Sequence, residues 1–232
     1  MDDIFSLAIQ KTEIEDPELF FDIEKNVIVH RPNINESKDY CVFGVLKTKL
    51  GLKIKDEMLS WLSPIYNVYV VEQEEPGKLF EYPALLFMKF LQIKNKKPCL
   101  YVHTKGAAHN NPTQKYVRRL WEDEFINHKD EYFSLVDTGV PTIACPFTGE
   151  EKITWLNGMV FNYEAANAII IPPPRKRFYY EQLCRDSVNK ENNLNINVIG
   201  RIYNDISVSP YGDYDNPLKA KAAAYLSKFK RS

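Results

Sequence analysis

From Asp39 onward, short apolar runs alternate with longer stretches whose apolar residues recur every three to four positions. That alternation predicts strands and helices in turn. Tyr40-Cys-Val-Phe-Gly-Val-Leu46 reads as a buried strand, Ile54 to Leu62 as a helix, and Tyr66 to Val71 as a second strand. Glu81 to Gln92 reads as a second helix, with Pro83 tolerated in its first turn, and Cys99 to Val102 as a third strand. Strand, helix, strand, helix, strand with short connections predicts an α/β fold: a single Rossmann-like, mostly parallel sheet flanked by helices.

Beyond a polar loop at 107–112, Thr113 to His128 has helical spacing, with Tyr116, Leu120, Trp121 and Phe125 near one face. A short helix over Lys129 to Val136 follows, then a strand over Val140 to Pro146 bounded by prolines. Trp155 to Asn162 reads as a strand around a glycine, Tyr163 to Ile169 as a helix, and Tyr179 to Cys184 as a helix after the extended Pro172-Pro-Pro174 turn. Residues 1–38 mix acidic and aromatic residues without a regular period. They are expected to form an N-terminal arm with one short strand at most, and residues 39–232 a single domain closed by a C-terminal helix.

Composition narrows the partners. The chain has 232 residues and is 44% hydrophobic, enough for one well-packed core. Thirty basic against thirty-one acidic residues leave a net charge of −1, so no global basic field is available for nucleic acid. Cys41, Cys99, Cys145 and Cys184 are widely spaced and lie in or beside apolar segments, as buried reduced thiols of a cytoplasmic protein do. The start of the chain is acidic and lacks the pattern of a signal peptide, and no apolar run approaches the length of a membrane span. Leu218 to Ser232 is basic and amphipathic, the pattern of a docked terminal helix or of weak contact with an anionic membrane surface.

The chemistry concentrates where the third strand stops. Its apolar run gives way to His103, Thr104, Lys105 and Gly106, and open α/β sheets bind ligands just beyond such strand ends. Lys105 is a mobile point charge suited to phosphate, Gly106 lets backbone approach a ligand, and His103 suits an anion or a sugar hydroxyl. An ordinary polar turn has the same composition. No GxGxxG or Walker sequence is present, so a dinucleotide site or P-loop is not expected. Arg118, Arg119, Glu122, Asp123 and Glu124 read as a solvated helix face with i,i+3 and i,i+4 pairs. His30, His109 and His128 lack metal-ligand spacing.

The order of motifs, LFEYPALLFMKFLQ, LYVHTKGAA, VRRLWEDEFI, DTG and WLNGMVFN, resembles bacterial glycosyltransferase-like proteins that carry an HTKG or HSKG turn and are distantly similar to rhamnan-synthesis enzymes. The resemblance spans residues 40–170. It implies the A-type transferase fold and a role in polysaccharide biosynthesis, with a nucleotide-diphosphate sugar as donor and a glycan or lipid-linked acceptor. It assigns His103, Thr104, Lys105 and Gly106 to the donor, Trp155, Asn157 and Gly158 to the acceptor, and Asp137 as the candidate catalytic base, although Asp137 also suits a plain turn. The A-type fold usually places an Asp-x-Asp motif at this strand end to hold Mn2+ or Mg2+. Here His103-Thr-Lys105 stands in that place, which leaves both metal dependence and activity open. The alternative is a non-catalytic nucleotide- or glycan-binding relative of the same fold. A metal-dependent hydrolase ranks below both, because the ligand spacing is poor.

Overall fold

The computed structural model describes residues 27–74, 81–104, 112–149, 154–155, 158–169, 171, 195–206, 224–225 and 227–228. The described residues form an α/β layer structure, an eight-stranded mixed sheet with helices on both faces. The strands are β1 (Val27–His30), β2 (Asp39–Leu46), β3 (Tyr66–Gln73), β4 (Cys99–His103), β5 (Thr142–Gly149), β6 (Thr154–Trp155), β7 (Met159–Phe161) and β8 (Asn197–Ile206). The helices are α1 (Lys49–Leu62), α2 (Tyr82–Asn95), α3 (Pro112–Glu122), α4 (Lys129–Val136) and α5 (Tyr163–Ala168), with one π-helical turn at Asp123–Asn127.

The sheet order is β1-β3-β2-β4-β7-β5-β6, with β8 also on β5. The predicted strand-helix-strand succession gives the parallel centre, where β2 pairs with both β3 and β4. β8 also joins β5 in parallel, whereas β1, β7 and β6 join antiparallel, so the sheet is mixed. β1 pairs with β3, and Asn67 binds the backbone of Asn35 and Lys38 at 2.8–2.9 Å. The one short strand expected before Asp39 is thus β1, which pairs in the sheet, and the loop after it is tied to β3 through Asn67; residues 1–26 lie outside the described residues.

Strand parity divides the core. Cys41, Phe43, Val45, Val68, Val70, Leu100 and Val102 face α1, α3 and α4, while Val42, Tyr69, Val71, Cys99 and Tyr101 face α2 and α5. Local chemistry sets the helix ends. Thr48 caps α1 by accepting from the Gly51 N–H at 2.8 Å, and Pro83 occupies the first turn of α2. Lys96 ends α2 in a left-handed conformation, φ 52°, with its N–H on Gln92 O.

Two strands differ from expectation. β5 does not stop at Pro146 but runs through it to Gly149, because the missing N–H falls at an irregularity in the β5–β8 register. The predicted strand over Trp155 to Asn162 is split. Ala144 to Phe147 on β5, three steps, is matched by Val160 back to Trp155, five steps, so the pairings of β6 and β7 with β5 are offset by two residues. β8 was not foreseen. The helix predicted over Tyr179 to Cys184 lies outside the described residues, and among the described residues no helix is long and apolar enough to cross a membrane.

Candidate functional site

β2 connects through α1 to β3 on one side, whereas β4 leads away toward β7 and β5 on the other. The carboxyl ends of the adjacent strands β2 and β4 thus form a topological switch point, where open α/β sheets leave a ligand crevice. Gly44 and His103 are register partners there. The Thr104 N–H donates to Gly44 O at 2.9 Å, and Thr104 Oγ1 accepts from the Leu46 N–H at 3.2 Å. Thr104 is buried, and its oxygen staples the two strand ends.

His103 is held on several sides. Its ring lies 6.2 Å from that of Tyr101, stacked, and 5.6 Å from that of Trp121, edge to face. Its Nε2 is 3.8 Å from Glu81 Oε1, with 15% and 17% of the two side chains exposed. Gly44 permits this crowding, since a Cβ there would stand 3.1 Å from Ala84 Cβ and 3.4 Å from His103 Cβ. On the opposite side Gly158 immediately precedes β7, and a Cβ at that position would come within 2.4 Å of Trp121 Nε1. The indole N–H is buried without a hydrogen-bond partner among the described residues.

The residues singled out from sequence separate into two groups. His103, Thr104 and Gly158 meet at the carboxyl edge, and Trp155 lies on β6 opposite Phe147, near the carboxyl end of β5. Lys105, Gly106 and Asn157 lie outside the described residues. Asp137 belongs elsewhere. It caps α4 just before β5, and Asn162 binds Val136 O and Val140 O at 3.0 and 2.7 Å while accepting from the Thr142 N–H at 3.0 Å. Asn162 follows Phe161, which pairs with Cys99 at the start of β4. Asp137 is therefore at the amino edge, a full strand away from His103, roughly 13 Å for five extended residues. The structure thus does not bring Asp137, the candidate base for the acceptor hydroxyl, together with His103.

Glu81 was missed by sequence reasoning, because it looked like an ordinary helix start. It occupies the N-cap position of α2 but makes no side-chain cap bond, and its carboxylate faces His103 instead.

No family model, curated protein or solved structure matches this chain.

A second polar cluster lies where the charged face of α3 was expected to be solvated. Arg119 and Glu122 do form the exposed i,i+3 pair, at 2.7 Å. Glu124, however, is fully buried, because the π-helical turn rotates it inward. Arg201 of β8 clasps it with Nε and Nη2, both at 2.6 Å, while Tyr132 and Tyr225 donate their hydroxyls at 2.7 and 2.5 Å. Burial opposes the charge of Arg201, but its bonds to Glu124 more than offset this, so the guanidinium stays above its ordinary pKa. Burial and then Glu124 push the Tyr132 phenol well up, and burial and the bond to Glu124 do the same for Tyr225. Asp123, Glu124 and His128 lie close enough to hold a cation together. The Arg201 guanidinium already supplies the positive charge for Glu124. Beside it, Asp130, Glu131, Ser134, Leu135, Ile199 and Arg201 line a recess of about 630 Å³.

Proposed function

We propose that this protein is a glycosyltransferase that binds a nucleotide-diphosphate sugar at the carboxyl edge of β2 and β4 and transfers the sugar to a glycan or lipid-linked acceptor. The observation that carries the reading is the switch point, where His103 and Thr104 lie beside Gly44 and the start of α2. The HTKG motif begins at His103, the last residue of β4, and its resemblance to glycosyltransferase-like proteins supplies the substrate class. Lys105, next in sequence after Thr104, would supply positive charge for the leaving diphosphate, the part that the resemblance gives to a divalent cation in A-type folds. Trp155, opposite Phe147 near the carboxyl end of β5, and Gly158, beside Trp121, flank this edge, which supports an acceptor subsite there.

The test is thermal unfolding of the purified chain against UDP-, GDP-, dTDP- and CMP-sugars, each with and without Mn2+. A ligand that binds only the folded state raises the melting temperature. A shift with one nucleotide family is expected, along with a loss of roughly 100-fold in turnover for Lys105→Ala. No shift with any donor would refute the reading. One observation favours a second reading, a non-catalytic binding relative: the carboxylate first considered as base lies at the wrong edge. Donor binding without transfer or donor hydrolysis would select it.

A further inference from the structure

We infer that Glu81 and His103 together hold one hydroxyl group of the acceptor, and that Glu81 takes its proton. The inference rests on the glycosyltransferase reading of this edge and names the base that Asp137 does not supply. Glu81 Oε1 and His103 Nε2 are 3.8 Å apart. That is too long for a hydrogen bond, yet an oxygen about 2.8 Å from each atom lies within hydrogen-bond reach of both. A hydroxyl seated there donates its proton to the carboxylate and accepts from the imidazole N–H.

Three features make the pair a built site. Glu81 stands at the start of a fourteen-residue helix whose cap its side chain does not make, so the carboxylate is turned toward the sheet edge. Both side chains are more than four-fifths buried, which strengthens a charge-assisted hydrogen bond, and both keep an exposed fraction through which a ligand enters. The imidazole is oriented by Tyr101 and Trp121, and Trp121 is itself seated against the bare Cα of Gly158.

The step balances with the groups named. The acceptor oxygen forms a bond to the anomeric carbon as its proton passes to Glu81. The anomeric C–O bond to the diphosphate breaks, and its electron pair leaves on the diphosphate oxygen. Water seated in place of the acceptor gives slow donor hydrolysis by the same route, an acceptor-independent readout.

The experiment compares the wild-type chain with Glu81→Gln, Glu81→Asp and Glu81→Ala. It measures the melting shift given by the stabilising nucleotide sugar, and the release of nucleoside diphosphate with and without a panel of saccharide acceptors. Glu81→Gln is expected to keep the donor-induced shift and to lose about 100-fold or more in release. Glu81→Asp is expected to retain part of the rate, and added formate to restore part of the rate of Glu81→Ala. Wild-type turnover in Glu81→Gln overturns the inference, and so does loss of the donor shift in that variant, which would assign Glu81 to donor binding. A wild-type chain that binds every donor tested without turning any over removes the reading beneath it, and is distinguishable because the failure appears before any substitution.

Discussion

Replacing Arg201 with methionine isolates the buried charge that ties β8 to the helical layer. Met keeps much of the length and apolar volume of the arginine stem and removes the guanidinium. Among the described residues Glu124, fully buried, then keeps only the hydroxyls of Tyr132 and Tyr225. Removing one partner of a buried pair costs about 3–5 kcal/mol, and the two remaining donors place this case near the lower end, ~3 kcal/mol. For a chain of this size each kcal/mol lowers the melting temperature by roughly 2–4 °C, so a drop of roughly 6–12 °C is expected. The assay is urea and thermal unfolding, followed by tryptophan fluorescence, of wild type, Arg201→Met, Glu124→Gln and the double variant. Because the pair acts as a unit, the double variant should be more stable than the summed single losses imply, by about 1–3 kcal/mol. A loss below about 1 kcal/mol for Arg201→Met, or an additive cycle, would show that the carboxylate is hydrated or neutral and refute the argument.

Three further outcomes follow from the same geometry. Asn162→Ala removes four hydrogen bonds, two to carbonyls of the α4–β5 turn and two from the N–H groups of Thr142 and Ala165; a loss of about 2–4 kcal/mol is expected in urea unfolding, and a change within 0.5 kcal/mol, about the scatter of an unremarkable surface substitution, would contradict it. Gly158→Ala forces a Cβ to within 2.4 Å of the buried Trp121 indole, so it should cost about 1–3 kcal/mol and shift the tryptophan emission, whereas an unchanged spectrum would mean that this wall yields freely. Tyr225→Phe tests the pH dependence. The folded phenol pKa is raised, so its contribution is complete below the ordinary value of about 10 and is lost as pH rises beyond it. Stability of the wild type should therefore fall more steeply than that of Tyr225→Phe above about pH 10 in equilibrium unfolding, and parallel curves would count against the bond to Glu124.

The parallel centre was legible because β2, β3 and β4 are apolar runs spaced by amphipathic helices, a pattern with few physical alternatives. β8 was hidden because Asn197, Gly200, Arg201 and Asn204 interrupt its apolar residues; its place is fixed by pairing with β5 and by the clasp of Arg201 on Glu124, neither of which is local. Glu124 misled for the same reason, since its neighbours in sequence are charged and only the π-helical turn turns it inward.

The separation of Asp137 from His103 is more instructive, because connectivity in the sequence already implies it. In parallel strands joined by helices, every turn from strand to helix lies at the carboxyl edge and every turn from helix to strand at the amino edge. Asp137 follows a predicted helix and precedes a predicted strand, so by connectivity it belongs to the edge opposite His103. A carboxylate that works with His103 must come from a strand-to-helix turn, or from a residue that a bulge delivers to that edge. The β3–α2 connection is such a turn, and Glu81 ends it immediately before Tyr82 and Pro83. Connectivity therefore favours the carboxylates of this connection, Glu74, Glu75 and Glu81, over Asp137. The 3.8 Å approach of Glu81 to His103 is what that preference requires of the folded chain.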